Sequence, residues 1–460
     1  MSDKNSPDKK VLIANAQGFW GDSMLGPLRL IEEGPVDYLT FDYLAEITMS
    51  IMQKARMKNP ELGYATDFVK LVGRIIKTCK EKNIKIIANA GGVNPKGCLE
   101  AIKKIIREQN ITGVKVAIVE GDDILAQLPE LMASGEKFSN LETGEDIATV
   151  RERLTSANVY IGAKPIADAL AQGADIVVTG RASDPSLVVA PLIYEFGWSM
   201  DDYDKLAAGT IMGHTIECGP QCTGGNYTNW REVPDMARIG YPIVEAYADG
   251  SFVVTKHEGT GGLINVETVT SQLLYELGDP TSYLGPDCIA DFTTIKIEQD
   301  GPNRVKMSGI KGRAPTPTYK VSMSFENGYK ILSTLCITGP DAIDKAHVLA
   351  DMVFKRMEMH GAPIPEENRF LELFGTNVLY KGIVPSPAQP HEIMMRIGAK
   401  GPNAKKLDIL GTEIAPLLTS GPPGITGFAG GRARATEIVG YWPALIDKTK
   451  VKTSVTVEEV

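Results

Sequence analysis

Short apolar runs rich in β-branched residues alternate with helical stretches through the first half of this chain, and each run stops in a polar loop. Residues 11–14, 36–42, 84–88, 114–119, 157–161 and 176–178 read as buried strands, with helical spacing over 25–33, 43–55, 65–82 and 95–108. Pro95 fits the first turn of its helix, where the N–H it lacks would have no partner. Alternation of this kind restricts the fold to βαβ units on a mostly parallel sheet, and right-handed crossovers place helices on both faces. The expectation is an α/β chain whose residues 1–230 form a mostly parallel, doubly wound domain.

Parallel strands end on one shared edge, and ligands of such folds bind there. QGFWGD at 17–22, NAGGVN at 89–94, EGDD at 120–123 and GRASDPS at 180–186 all follow strand ends. They should therefore gather in space although they are far apart in sequence. After Trp230 the pattern changes to hairpins at 242–257, near 300–303 and at Asn327-Gly328, interleaved with helices at 266–277 and 341–360. That reads as an α+β domain over residues 231–460, with an antiparallel or mixed sheet and Gly/Pro-rich loops toward its end. Residues 419–424 have the composition of a lid, and 451–460 read as a terminal strand or a frayed tail.

Composition removes several function classes. The net charge of −9 argues against nucleic acid, whose phosphates need a basic face. No run is long and apolar enough to span a bilayer, and the polar N-terminus lacks a signal-type core, which points to a cytoplasmic protein. Cys79, Cys98, Cys218, Cys222, Cys288 and Cys336 are scattered as reduced thiols are, without the density of a disulfide framework.

Residues 209–230, GTIMGHTIECGPQCTGGNYTNW, hold the densest set of hydrogen-bonding groups on a Gly-rich backbone, as a loop over a small polar ligand would. His214, Cys218 and Cys222 are spaced for one helix face, but Gly219-Pro220 breaks a helix there and no fourth ligand follows, so a zinc site is not expected. Glu217 or His214 suits proton transfer, with Gln221, Thr223 and Asn226 orienting a substrate; a hydrogen-bonded loop joining two domains is the alternative. Cys218 reads as a small buried thiol. Arg181 is placed to grip a carboxylate by two parallel hydrogen bonds, the alternative being a loop clamp to Asp184. Asn89, Gly91, Gly92 and Asn94 offer amides for positioning or for an oxyanion, as do Thr260 and its neighbouring glycines. Gly18 lies in a loop able to hold an anion at a helix start, where Asp22 reads as the N-cap. Asp42 and Glu46, one turn apart, are suited to a divalent cation or a shared proton, with Asp42 as a plain cap in competition. Asp122 closes a strand end, and Arg432 and Arg434 are candidates for an anion or for solvent.

Taken together, GFWGDS, DYLTFDYLAEITMS, NAGGVNP, TGRASDPS, GHTIECGPQCTGGNY, GTGGLINVETVTSQLLYE and GRARATEIVGYWPALI resemble the acyclic terpene utilisation (AtuA-like) family, in order and over most of the chain. The resemblance implies catabolism of acyclic terpenes, whose later intermediates are branched acyl-CoA thioesters. It supplies no settled catalytic residues. Some relatives carry an additional small ferredoxin-fold domain, so the resemblance also implies a separate small partner subunit.

The resulting expectation is a lyase or hydratase acting on a small carboxylic acid or its acyl-CoA thioester, self-associating as a homo-oligomer. Arg181, Asp184, Asn89 and Asp122 would hold the acid, and Glu217 or His214 would take the α-proton. No cofactor is specified, and a divalent metal stays open. The competing readings are a binding subunit that works only with a small partner, and a metal-dependent hydrolase using Asp42, Asp122 or His214.

Overall fold

The computed structural model describes residues 9–381, 383–427 and 430–460. The backbone divides into two compact units, Met1–Ser324 with Tyr441–Val460, and Phe325–Gly440. The first unit is built on a ten-stranded sheet. In chain order its strands are β1 (Lys10–Gln17), β2 (Tyr38–Phe41), β3 (Lys85–Ala88), β4 (Lys115–Glu120), β5 (Ile176–Thr179), β6 (Ile243–Tyr247), β7 (Phe252–Thr255), β8 (Lys296–Gln299), β9 (Val305–Ser308) and β10 (Ser454–Glu459). Across the sheet the order is β8-β9-β7-β6-β1-β2-β3-β5-β4-β10.

The five central strands, β1, β2, β3, β5 and β4, are parallel neighbours. Every outer pairing is antiparallel. The chain is therefore of the α/β class with a mixed sheet in this unit. The hairpin after residue 242 pairs Val244 with Ile13 of β1, so it continues the sheet. The change of sequence style at Trp230 thus falls inside the first unit and marks a change of strand direction, while the compact units part at 324/325 and 440/441. The last residues form β10, an antiparallel edge on β4.

The central strands are apolar on both faces because both are covered. Ala14, Leu39, Phe41, Ile86, Ala88, Ile118 and Val178 share one core cluster with helices Leu25–Glu33, Thr66–Glu81 and Pro95–Glu108. Tyr38, of the other parity on β2, donates its hydroxyl to Glu195 of helix Ser186–Phe196 at 2.6 Å, which places that helix on the opposite face. Each fully buried Ile, Leu or Phe of this core contributes about 1.5–3 kcal/mol. Residues 157–161 depart from expectation. Leu154–Val159 is a strand, but it pairs with Thr318–Thr338 outside the parallel sheet, Tyr160 N–H donating to the Lys320 carbonyl at 3.0 Å. Two of its polar side chains find partners there, the Thr155 hydroxyl donating to the Ser324 carbonyl at 3.2 Å and Asn158 Nδ2 to Asp122 at 2.9 Å.

In the second unit Arg369–Phe374, Glu392–Gly401, the later part of Thr318–Thr338, and Ile425–Gly427 are antiparallel neighbours. Helices Ala342–Met359 and Ala404–Ile414 pack on them through Leu349, Val353, Leu407 and Leu410 against Ile331, Leu335, Met395 and Ile397. The hairpin expected at Asn327-Gly328 is not a turn. Thr318–Thr338 runs through as one strand, with Gly328 at φ +77°, and Tyr329 already pairs with Gly401. The lid-like residues 419–424 include the end of the short helix Leu417–Ser420 in this unit. Of the loop 427–434, residues 428 and 429 lie outside the described residues, and Arg434 stands 3.7 Å from Asp408. No helix among the described residues is long and apolar enough to cross a membrane.

Candidate functional site

The loops that leave the parallel strands meet, and glycines let them. Gly91 donates its N–H to the Thr179 carbonyl at 3.0 Å, and a Cβ on Gly91 would stand 2.6 Å from that oxygen. A Cβ on Gly180 would collide with the Asp122 carboxylate. One on Gly18 would stand 2.8 Å from the Glu217 carbonyl oxygen. NAGGVN therefore touches the start of GRASDPS, EGDD touches it from another side, and QGFWGD lies against Glu217-Cys218.

The stretch 209–230 is not one loop. Its first part completes helix Tyr203–Ile216, where Gly213 lets the helix approach the Pro185 backbone, whose Cα would lie 2.5 Å from an added Cβ. The helix stops before Gly219-Pro220, and Gly219–Gln221 is a single 3-10 turn. Glu217 is thereby left at the C-terminal end of the helix, one turn beyond His214.

At this place three carboxylates converge. Asp42 leaves β2, Asp184 precedes helix Ser186–Phe196, and Glu217 caps its own helix; one oxygen from each lies within 4.8 Å of the other two. Asn89 Nδ2 donates to Asp42 Oδ1 at 2.6 Å, Arg181 Nη1 to Asp184 Oδ1 at 2.6 Å, and His214 Nδ1 stands 2.9 Å from Glu217 Oε1. Burial above all, then repulsion from Asp184 and Glu217, pushes the Asp42 carboxyl well above the usual range, against the pull of Arg181 and Asn89. The cluster corrects one expectation: Asp42 does not pair with Glu46. Glu46 turns to the Tyr160 hydroxyl at 2.6 Å and to Lys320 at 3.3 Å. Burial opposes its charge, but Tyr160, Lys320 and Arg181 together bring it down to about 2.

His214 is 1% exposed, with its ring against Tyr283 and Phe292. Nε2 faces the Leu273 carbonyl at 3.3 Å, and a carbonyl only accepts, so Nε2 carries a hydrogen. One further proton then lies between Nδ1 and Glu217 Oε1. Burial pulls the imidazole down, but the charge and hydrogen bond of Glu217 outweigh it and hold the ring above its ordinary value. Burial likewise lifts Glu217, and His214 only partly counters it. Both groups thus favour keeping the shared proton. Glu217 Oε2 is buried without a hydrogen-bond partner.

Arg181 is 2% exposed and forms the loop clamp rather than an open fork. Nη1 is shared between Asp184 and the Leu44 carbonyl, and the guanidinium lies 4.0 Å from the centre of the Tyr160 ring. Asp122 acts on the backbone beside it. Its Oδ2 accepts from Arg181 N–H at 2.7 Å and from Asn158 Nδ2 at 2.9 Å, and burial pushes this carboxyl up to about 7. It positions Arg181 and is itself closed to a substrate.

Several other expected binding residues have structural duties. Asn89 is fully buried and spent on Asp42 and on Tyr43 N–H. Asn94 caps helix Pro95–Glu108, accepting from Gly97 N–H at 3.1 Å and donating to the carbonyls of Pro60 and Leu62. Gly92 adopts φ +55° in the tight turn before it. Thr223 is fully buried and donates to the Pro220 and Gly240 carbonyls. Gln221 donates to Gln272, and Asn226, at φ +59°, donates to Gln221. Thr260 donates to the His257 carbonyl and receives Lys256 Nζ. Gly18 N–H is taken by Asp22 Oδ2, so Asp22 braces that loop, and Met24 stands at the N-cap. Burial pushes the Cys218 thiol up to about 12, so it carries little of the thiolate that a nucleophile needs.

Sequence reasoning missed Asn15, whose Nδ2 donates to the Glu217 carbonyl, and Gln272, which donates to the His214 carbonyl at 2.9 Å. Asn15 carried a signal, being the one strongly polar residue inside the apolar run VLIANA. Tyr160 and Tyr283 carried none. Two surface concavities, about 490 Å³ beside Asp201 and Asp204 and about 320 Å³ beside Lys164 and Asp287, include no residue of the carboxylate cluster. Chemically the cluster can store and move protons, and its all-oxygen donor set could hold a hard cation.

No curated protein and no solved structure matches the chain. The model of one family does, that of the acyclic terpene utilisation family protein AtuA, and it matches residues 11–457. A match of that extent, on a chain whose strand-end loops converge as described, establishes that the protein belongs to the acyclic terpene utilisation AtuA family.

Proposed function

We propose that the chain is an enzyme of acyclic terpene catabolism, a lyase of the hydro-lyase kind acting on a small carboxylic acid or its acyl-CoA thioester. The observation that carries this reading is the His214–Glu217 pair, a buried carboxylate with one oxygen on an imidazole and the other without a partner. Elimination of water beside a carbonyl needs a base for the α-proton and an acid for the leaving hydroxide. Glu217 takes the α-proton, the C–H electron pair forms the double bond, and hydroxide leaves the β-carbon as water with a proton from a second carboxyl of the cluster. His214 stabilises whichever form Glu217 takes. Arg181 acts from behind, holding Asp184 in place.

The test is turnover of a panel of short branched 3-hydroxy acids, 3-hydroxyacyl-CoA and 2-enoyl-CoA thioesters by the purified chain and by Glu217→Gln. Wild type is expected to interconvert hydroxy and enoyl forms, and the variant to lose that activity with its circular dichroism unchanged. Full activity in the variant removes Glu217 from the mechanism, and inactivity of the wild type on the whole panel overturns the reaction class.

A further inference from the structure

We propose that Asp42, Asp184 and Glu217 form a binding site for a hard divalent cation of the Mg²⁺ or Mn²⁺ class. Their oxygens lie within 4.8 Å of one another, a spacing that a cation binding oxygen at about 2.1 Å closes with small side-chain adjustments. Each carboxylate has one oxygen held by a group that is not an acid: Asn89 on Asp42, Arg181 on Asp184, His214 on Glu217. Outer hydrogen bonds of this kind orient the ligands of a metal site. Asp184, with its side chain 34% exposed, provides the way in.

Such bonds alone do not require a ligand, but two buried atoms point to one. Glu217 Oε2 is an acceptor without a donor. Nε of Arg181 is a donor without an acceptor, on a side chain only 3% exposed whose Nη1 already holds Asp184. Buried polar atoms are rarely left unpaired. A cation carrying a water would answer both, by binding Oε2 while its water accepts from the guanidinium; bound there it occupies the oxygen that the lyase reading gives to the α-proton, so the two states of Glu217 exclude one another. An all-oxygen donor set favours Mg²⁺ or Mn²⁺ over zinc, which prefers nitrogen and sulfur.

This claim is tested without substrate, so its failure is separable from failure of the lyase reading, which is judged by turnover. Chelator-treated full-length protein is titrated with MnCl₂, and free Mn²⁺ is read by electron paramagnetic resonance. The expected result is one-to-one binding that weakens by more than about tenfold in Asp42→Asn and in Glu217→Gln, the loss that even outer partners of a metal site cause. Glu298→Gln, at an exposed position on the sheet edge, should bind as wild type does. Asp42→Asn keeps an acceptor for Asn89, and Asp184→Asn replaces it if thermal unfolding shows a folding defect. Absence of stoichiometric binding at millimolar Mn²⁺, or binding that survives the cluster substitutions, overturns the proposal.

Discussion

His214 Nδ1 stands 2.9 Å from Glu217 Oε1, while the other nitrogen of the same ring faces the Leu273 carbonyl at 3.3 Å. The carbonyl fixes the tautomer, and the carboxylate therefore shares the one proton that can move. This arrangement exists because helix Tyr203–Ile216 ends where it does, with Glu217 at its last turn and Gly219 at φ +57° redirecting the chain.

Asp122 should give the protein a measurable pH dependence of stability. Its carboxyl is pushed by burial from 3.8 up to about 7. Between those values the folded chain keeps a proton that the unfolded chain has lost, so stability falls as pH rises through the window and levels off above it. At 1.4 kcal/mol per unit the effect is about 4 kcal/mol. Urea unfolding at pH 5 and pH 8, which takes in about two units of that window, should show a loss of about 3 kcal/mol in wild type and a much flatter profile in Asp122→Asn. The variant is tolerated because Asn158 can present its unpartnered Oδ1 to the new amide.

Gly91→Ala should destabilise the fold by about 1–3 kcal/mol, since the added methyl meets the Thr179 backbone oxygen, which cannot turn aside. Gly278→Ala, with nothing within 4 Å of the new Cβ, is the control and should stay within about 0.5 kcal/mol of wild type. Equal unfolding midpoints for the two variants would contradict the close contact between the NAGGVN and GRASDPS loops.

Asn94→Ala should cost about 1 kcal/mol through loss of the helix cap, and somewhat more through its bonds to the Pro60 and Leu62 carbonyls. Turnover should be unchanged. A loss of turnover without a matching loss of stability would return Asn94 to the ligand.

The parallel strands were legible because apolar runs report burial on two faces, and the gathering of their loops followed from strand direction alone. The role of single residues in those loops was not. Asn94, Thr223 and Gln221 look like ligand groups in sequence, yet each bonds to groups far along the chain that only folding brings within reach, Asn94 to the Pro60 and Leu62 carbonyls, Thr223 to the Gly240 carbonyl and Gln221 to Gln272. Arg181 was readable as a grip or a clamp, and the deciding partner, the Leu44 carbonyl, lies 137 positions away. The hairpin expected at Asn327-Gly328 misled because a dipeptide that favours a turn can lie within a continuous strand, with Tyr329 already paired to Gly401 directly after the positive-φ glycine. The convergence of Asp42 on Glu217 needed the sheet order as well as the helix end.

The proton-transfer claim is tested most directly by exchange at the α-carbon. A short branched acyl-CoA is incubated in deuterated water with wild type and with Glu217→Gln, and deuterium at the α-position is followed by mass spectrometry. Wild type should incorporate deuterium, and the variant should do so more slowly by about 10²–10⁴-fold, the contribution of a positioned base. Equal incorporation by the two proteins would contradict the account.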